Sequence, residues 1–246
     1  MSMHVRRAAT SVAAIALAAT LAGCGGSSSD STSTSGSPSS STSSAKKPGA
    51  GTVYKQARAT ALAAKNGHVS GTVTDSGTQT SIDLVGAADG SNQKATFKAA
   101  KEGTFTLLTV AGKNWVQGDT TFWTTNADAA TASKLDGKWV VVPDEQAKDF
   151  GDTNLKGLLS DMFDNQSLST LESLATAVNE TEVDGVKAYV LQDKGSDDGQ
   201  VFVTADGTAH LIKIVGPKDQ PGTLTFSEWD AVKPFTAPAA GDIVNP

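Results

Sequence analysis

Alternating hydrophobic and polar positions run through most of the chain after residue 67. Segments rich in Thr, Val and aromatic residues are separated by short stretches of Gly, Asp and Asn, a pattern typical of antiparallel strands joined by tight turns. Asp75-Ser76-Gly77 and Ala88-Asp89-Gly90 supply the residues that tight hairpins need, because these residues adopt positive φ at low cost. The sequence predicts strands at 68–74, 78–85, 93–99, 104–110, 114–117, 138–142, 175–182, 186–192, 200–204, 210–215 and 223–229.

Helical patterns occupy fewer positions. Helix formers fill residues 53–62, and Asn66-Gly67 is a signal that ends a helix. Shorter helical pieces are predicted at 127–135 and 143–150.

The clearest helix is predicted at 154–163. Its apolar residues recur at the three- and four-residue spacing that puts them on one side of a helix. This stripe must lie against another apolar surface. It consists of Leu155, Leu158, Leu159, Met162 and Phe163.

These elements predict an α+β fold, with a large antiparallel sheet that is strongly curved or nearly closed and is covered on one face by helices. A curved sheet does not always fill its concave side with its own side chains. Any space left there would become a ligand cavity.

The N-terminus has the order of parts found in a secretory signal peptide. Arg6-Arg7 precedes an apolar run at 13–19, which is too short to span a bilayer permanently, and Leu21-Ala22-Gly23-Cys24 follows. We expect residues 1–23 to be a lipoprotein signal peptide and Cys24 to carry a thioether-linked diacylglycerol and an added acyl chain such as palmitate. The alternatives are a free buried cysteine or a secreted protein cut near Ala22. Cys24 is the chain's one cysteine, so no disulfide can form.

Composition divides the mature chain in two. Residues 24–51 comprise the cysteine and a stretch dominated by Ser, Thr, Gly and Pro, which predicts a flexible tether. Residues 52–246 are long enough for one domain with a sizeable core. The formal net charge of -6 argues against a nucleic-acid partner.

Several strings in the domain, taken together in their order and spacing, resemble the mycobacterial LppX and LprG lipoproteins, whose fold is similar to that of the lipoprotein carriers LolA and LolB. The resemblance covers nearly all of residues 52–243. The strings are His68-Val-Ser-Gly-Thr-Val73, Gly112-Lys-Asn-Trp-Val-Gln-Gly-Asp119 with Phe122-Trp123-Thr124, Gly137-Lys-Trp-Val-Val-Val-Pro143, Asp184-Gly-Val-Lys-Ala-Tyr189 and Leu224-Thr-Phe-Ser-Glu-Trp229.

This resemblance implies a half-barrel with helices covering its concave face. It also implies a non-enzymatic protein that binds an acylated lipid or glycolipid in an apolar cavity and carries or presents it in the cell envelope. The sheet nevertheless offers many Thr and Ala residues where a roomy cavity would favour larger apolar side chains. The alternative is an envelope interaction or sensory module with a filled core. The candidate lipid-binding residues are Leu107, Trp115, Phe122, Trp123, Leu155, Leu158, Leu159, Met162, Phe163 and Phe202; for any single aromatic residue, ordinary packing is the competing interpretation.

The sequence contains no recognisable catalytic or metal-binding pattern. His68 and His210 lie on separate predicted strands with no acidic residue at ligand spacing. Residues 193–204 lack the glutamate that closes a calcium loop, so a hairpin turn is the simpler interpretation. Ser43-Ser-Ala-Lys46 matches a Ser-x-x-Lys pattern but lies in the tether without companion motifs. We therefore expect no catalytic residues, no metal and no cofactor.

The expected location is the outer face of the cell membrane, through the N-terminal diacylglycerol. The expected ligand is an acylated lipid or glycolipid, a membrane transporter is a possible partner, and the protein is expected to be monomeric. The high Ala, Gly and Thr content fits an actinobacterial host.

Overall fold

The computed structural model describes residues 47–244, apart from 76, 152, 165–169, 174–177, 193–198 and 219. The predicted signal peptide, Cys24, the tether up to residue 46 with its Ser-x-x-Lys match, and most of the loop that begins at 193 lie outside the described residues. Within the described part, no helix combines the length and the apolar character needed to cross a membrane.

Helices flank or interrupt a long series of strands. The α-helices are α1 (Ala50–Ala63), α2 (Thr120–Asn126), α3 (Ala129–Leu135), α4 (Asp144–Ala147) and α5 (Leu155–Asp164). Short 3-10 helices lie at Lys148–Phe150, Thr170–Ser173 and Ala240–Asp242. The strands are β1 (Asn66–Asp75), β2 (Thr78–Ala87), β3 (Asn92–Ala99), β4 (Gly103–Val110), β5 (Lys113–Gly118), β6 (Trp139–Val142), β7 (Asn179–Val183), β8 (Val186–Leu191), β9 (Gln200–Thr204), β10 (Leu211–Val215), β11 (Gly222–Ser227) and β12 (Ile243–Val244).

The strands form one 12-stranded sheet in the order β12-β6-β5-β4-β3-β2-β1-β11-β10-β9-β8-β7. Neighbouring strands are antiparallel except at one edge, where β12 pairs with β6 in parallel. The pairing of β1 with β11 joins the first and last hairpins of the domain. Because β12 and β7 are the ends of this order, the sheet is open. The predicted fold class, a large antiparallel sheet with helices in an α+β arrangement, is confirmed.

Helix α2, strand β12 and the 3-10 helices at Thr170–Ser173 and Ala240–Asp242 were not predicted from the sequence. Helix α2 has few apolar residues at helical spacing, and it is set by Asp119, whose carboxylate accepts a hydrogen bond from the Phe122 N–H at 2.8 Å. Strand β12 is only two residues long. The predicted helix at 127–135 is shorter in the structure, where α3 begins at Ala129 after its own cap, Asp128. The predicted helix at 143–150 is α4 followed by a 3-10 turn.

The helices and the sheet share one apolar core. Buried side chains of α1, α2, α3 and α5 form a single cluster with side chains from strands β1 to β6 and β8 to β11. Successive residues of a strand point to opposite faces of the sheet, so the strand residues of this cluster define one face. We call it the inner face, and the opposite one the outer face.

Candidate functional site

An unbroken row of apolar side chains crosses the inner face, one from each of seven neighbouring strands. Each residue is the direct cross-strand partner of the next, and all are buried. Ala95 stands in the middle of the row, so the smallest side chain of the row lies near the centre of the sheet. In order, this apolar row is Phe226, Val69, Leu84, Ala95, Leu107, Val116 and Val140.

Polar residues border the apolar row on one side. Each border residue lies two positions along its strand from a member of the row. Gln93 of β3 is paired with Thr109 of β4, and Thr109 is paired with Asn114 of β5. The Thr109 hydroxyl donates to Asn114 Oδ1 at 2.7 Å, and Gln93 is 3% exposed. The inner face therefore offers an apolar strip with a neutral polar border, an arrangement that suits an amphipathic molecule.

Helix α5 covers the β1–β2 part of the inner face. Its stripe is buried as the sequence predicted, from Leu155 at 0% exposure to Leu158 at 6%. The helix approaches closely where β1 has a glycine: a Cβ on Gly67 would lie 3.1 Å from Leu155 Cδ2 and 3.2 Å from Trp229 Cε3. A larger residue at this position would force α5 away from the sheet.

The N-terminal end of α5 is attached to the β2–β3 hairpin by hydrogen bonds. The Lys156 N–H donates to the Ala88 carbonyl at 2.9 Å, and Gln93 Nε2 donates to the Thr153 carbonyl at 2.6 Å. Asn154 caps the helix, with Oδ1 accepting from the Gly157 N–H at 2.8 Å. This end of α5 is thereby fixed to the sheet.

The other end of α5 meets α1. Phe163 contacts Tyr54 edge to face, with ring centroids 5.9 Å apart and ring planes at 73°. Tyr54 is 1% exposed, and α1 buries it beside Val53, Ala57 and Ala61. Aromatic rings therefore make the contact between this end of α5 and α1.

Helix α2 places Trp123 over the opposite part of the inner face. Asp119 fixes this helix to the sheet through both carboxylate oxygens: Oδ1 accepts from the Phe122 N–H, and Oδ2 accepts from the Thr104 N–H of β4 at 2.7 Å. Phe122 packs so closely on β5 that a Cβ on Gly118 would lie only 2.3 Å from its ring. The position of Trp123 is therefore set by a rigid support.

A continuous series of aromatic contacts reinforces that support. Phe97 stacks on Phe105 with centroids 5.1 Å apart, Phe105 stacks on Phe122 at 5.0 Å, and Phe122 meets Trp123 edge to face at 4.9 Å. Such pairs stabilise a fixed relative orientation of the rings beyond their burial alone.

A small, partly open cavity of about 30 Å³ lies between α2 and β6 on the inner face. A space of this size holds about one water molecule. Its walls come from α2, β5, β6, α4 and the adjoining 3-10 turn. The lining residues are Val116, Phe122, Trp123, Asn126, Val140, Val141, Val142, Gln146 and Phe150.

A larger, open groove of about 530 Å³ lies elsewhere, beside β5, β6 and β12. Trp115, Val141 and Ile243 line it, with Lys113 and Asp144 at its margin. Trp115 alternates with the inner-facing Val116, so this groove lies against the outer face.

The structure brings most of the predicted lipid-binding residues to the same side of the sheet. They lie in the buried cluster or pack against it: Leu107, Phe122, Trp123, Leu155, Leu158, Leu159, Met162 and Phe163. Trp115 and Phe202 are separated from the rest, because each stands between inner-facing neighbours on its strand and therefore faces outward. Both residues lie apart from the other eight, and their role in lipid binding stays a prediction. The sequence analysis missed Gln93, Ala95 and the border formed by Thr109, which the cross-strand register reveals.

Among the residues whose burial the structure describes, no Asp, Glu, Lys, Arg or His is fully buried, although Arg58 Nε and His68 Nε2 are shielded from solvent. The buried polar side chains of the described part, Gln93, Thr106 and Thr109, are all neutral. Among the described residues, no group of three or more His, Cys, Asp or Glu side chains could hold a metal ion. His68 Nε2 lies 3.4 Å from Asp83 Oδ1 on the neighbouring strand, a contact that sequence spacing did not predict.

Three exposed aspartates have lowered pKa values because they accept local hydrogen bonds. The pKa of Asp128 is lowered mainly by the Thr131 N–H at the start of α3, and that of Asp89 mainly by the Ser91 N–H. The pKa of Asp206 is lowered first by the Thr208 hydroxyl. All three stabilise turns or a helix start, and each keeps its charge near neutral pH.

No protein-family model matches the chain, and no curated protein matches it in sequence. Its fold resembles solved structures. LprF from Mycobacterium bovis is 17% identical with a TM-score of 0.47, covering 79% of this chain and 100% of that one. LppX from Mycobacterium tuberculosis is 15% identical with a TM-score of 0.41, covering 75% and 96%. LppX is one of the two lipoproteins that the sequence strings resemble.

A more distant similarity is to a chain of the Pseudomonas aeruginosa MucA/MucB complex, at 12% identity and a TM-score of 0.31. That match covers 78% of this chain and 59% of the other. At these identities the likeness concerns the fold alone.

Proposed function

We propose that this protein is a membrane-anchored envelope lipoprotein that binds an acylated lipid or glycolipid, without catalysing a reaction. The observation that carries the proposal is the apolar row from Phe226 to Val140, buried under helices and bordered by the neutral side chains of Gln93 and Thr109. An alkyl chain placed along such a row would gain about 0.8 kcal/mol per buried methylene.

The Leu-Ala-Gly-Cys sequence ending at Cys24 supports the membrane anchor. A diacylglycerol on Cys24 and the tether to residue 51 would hold the domain at the outer face of the membrane, within reach of lipid. Lipid could then pass between the bilayer and the domain over only a short distance through water.

Entry of an acyl chain requires side chains to separate, because the inner face is packed in one cluster. We propose that α5 moves about its N-terminal end. The hydrogen bonds of Lys156 and Gln93 hold that end, whereas Phe163 and Tyr54 meet through ring contacts at the other. Opening there would expose the apolar row beneath α5.

The alternative function is an envelope interaction or sensory module that works through its surface. The burial of the α5 stripe to 6% exposure or less favours it, because a filled core needs no ligand. The open outer-face groove beside Trp115 would then be a candidate contact surface. The two functions differ in one observable, the presence of lipid in the purified protein.

Native mass spectrometry of the full chain, extracted from bacterial membranes, distinguishes them. We expect the wild type to carry an acylated lipid in addition to its covalent anchor. Met162→Gln, at a buried position of α5, should lower lipid occupancy, and Asp161→Gln, at the exposed neighbouring position, should leave it unchanged. A wild type that is empty and takes up no added lipid would support the surface-interaction alternative.

A further inference from the structure

Trp123 has a buried hydrogen-bond donor with no acceptor. Its side chain is 2% exposed, and its indole Nε1 has no hydrogen-bond partner in the described part of the chain. Buried N–H groups of this kind are rare, and each calls for an explanation such as a ligand or a water molecule. By contrast, the indole of Trp229 donates to the Leu211 carbonyl at 2.9 Å.

The unpaired donor belongs to a residue that lines the small cavity between α2 and β6. Val116 and Val140, two members of the apolar row, line the same cavity. Asp119 and the stacked rings behind Phe122 hold Trp123 in place, so its indole is fixed before any ligand arrives. A fixed donor of this kind can select a ligand by the position of a single acceptor.

The cavity's chemistry restricts that acceptor. None of its lining residues carries a charge, and its polar side chains, Asn126 and Gln146, are neutral amides. A phosphate or carboxylate would lose its hydration there without a compensating cation, which is a large cost. A carbonyl oxygen accepts a hydrogen bond while remaining neutral, and it is small enough for about 30 Å³.

We propose that the Trp123 indole N–H donates a hydrogen bond to an acyl ester carbonyl of the bound lipid. This inference rests on the proposed function. With the carbonyl at Trp123, the alkyl chain would run along the apolar row from Val116 of β5 toward Leu84 of β2, about 14 Å away at the usual strand spacing. That path leads from the cavity to the part of the sheet that α5 covers.

The test compares a diacyl phospholipid with the dialkyl ether of the same head group and chain length, which lacks the carbonyls. The full chain is titrated with each lipid, and native mass spectrometry gives the two dissociation constants. We expect wild type to bind the ester about three- to tenfold more tightly, the usual effect of one buried hydrogen bond. Trp123→Phe should abolish this preference while still binding the ether lipid.

Trp115→Phe is the matched control, since it removes an indole from the outer face and should leave the preference unchanged. The proton resonance of the Trp123 indole N–H, assigned by its loss in Trp123→Phe, should move downfield with the ester lipid and not with the ether. A purely structural role of Trp123 would not produce that difference.

The possible outcomes separate the two proposals. If wild type binds neither lipid, the proposed function fails and this inference fails with it. Equal binding of both lipids by wild type would leave the proposed function intact and overturn the role of Trp123, with a bound water as the indole's partner. Should Trp123→Phe fail to fold, the wild-type ester preference and the indole resonance still decide the question.

Discussion

Phe163 of α5 and Tyr54 of α1 pack edge to face with ring centroids 5.9 Å apart, and this contact joins two of the helices that cover the inner face. The opposite end of α5 is attached by hydrogen bonds from Lys156 and Gln93. The helix is thus held by polar contacts at one end and by ring contacts at the other, which is the asymmetry expected of a cover that opens at one end.

Phe163→Ala should lower the free energy of unfolding by about 3 kcal/mol, the usual effect of truncating a buried phenylalanine. It should also speed lipid uptake, because the ring contact with Tyr54 is lost. Phe202→Ala is the control on the outer face, where the same truncation should cost less. Urea denaturation and the rate of uptake of a fluorescent acyl lipid measure the two effects. A faster uptake in Phe202→Ala as well would argue against opening at α5.

Asp119→Ala should lower the free energy of unfolding by about 2 kcal/mol, since both the cap of α2 and the hydrogen bond from Thr104 of β4 are lost. Asp128→Ala removes the exposed cap of α3 and should have a smaller effect. Chemical denaturation of the two variants tests this order. Equal losses of unfolding free energy in the two variants would show that the hydrogen bond between Asp119 and β4 contributes nothing to stability.

Cys24→Ser should abolish lipidation, because no other thiol exists in the chain. Metabolic labelling with an alkyne analogue of palmitate should mark wild type and not the variant. Ser29→Ala, a change of similar size in the tether, should keep the label. A label that persists in Cys24→Ser, or a wild-type N-terminus at another residue, would contradict the predicted anchor.

Asp206 should contribute stability that depends on pH. Hydrogen bonds from the hydroxyl and the N–H of Thr208 lower its pKa in the folded protein from the ordinary value of 3.8. Its contribution is therefore present above 3.8 and is lost as pH falls through the lower, folded value. Asp206→Asn should be less stable than wild type at pH 7, and the difference should shrink in acid. Thermal unfolding between pH 7 and pH 2 measures this difference in stability. A difference that stays constant over this range would refute the predicted contribution of Asp206.

Much of the sheet could be predicted from the sequence because its strands alternate regularly and its turns carry Gly and Asp. The sequence could not assign the face of Trp115, because its neighbour Val116 is also apolar and either could point inward. Cross-strand register settles the matter by pairing Val116 with Leu107. Alternation within one strand divides its side chains between two faces but does not show which face is buried. Only the packing of the other elements against the sheet shows that.

The α5 stripe was predictable because five apolar residues at helical spacing require a covering surface. The support of Trp123 was not, because it depends on Asp119 reaching both α2 and a strand distant in sequence. Whether space remains beneath the helices also depends on how side chains from many strands fit together. The pattern of residues in any one segment does not show how these side chains pack together.

We propose that an acyl chain lies between α5 and the inner face of the sheet when lipid is bound. The most direct test uses the full chain in vesicles that contain a phospholipid with a photoactivatable diazirine on its acyl chain, followed by peptide mass spectrometry of the adducts. We predict adducts on inner residues, including Leu84, Leu107 and Met162, and none on the exposed neighbours Lys94 and Asp161. Adducts confined to exposed residues, or none within residues 47–244, would contradict the account.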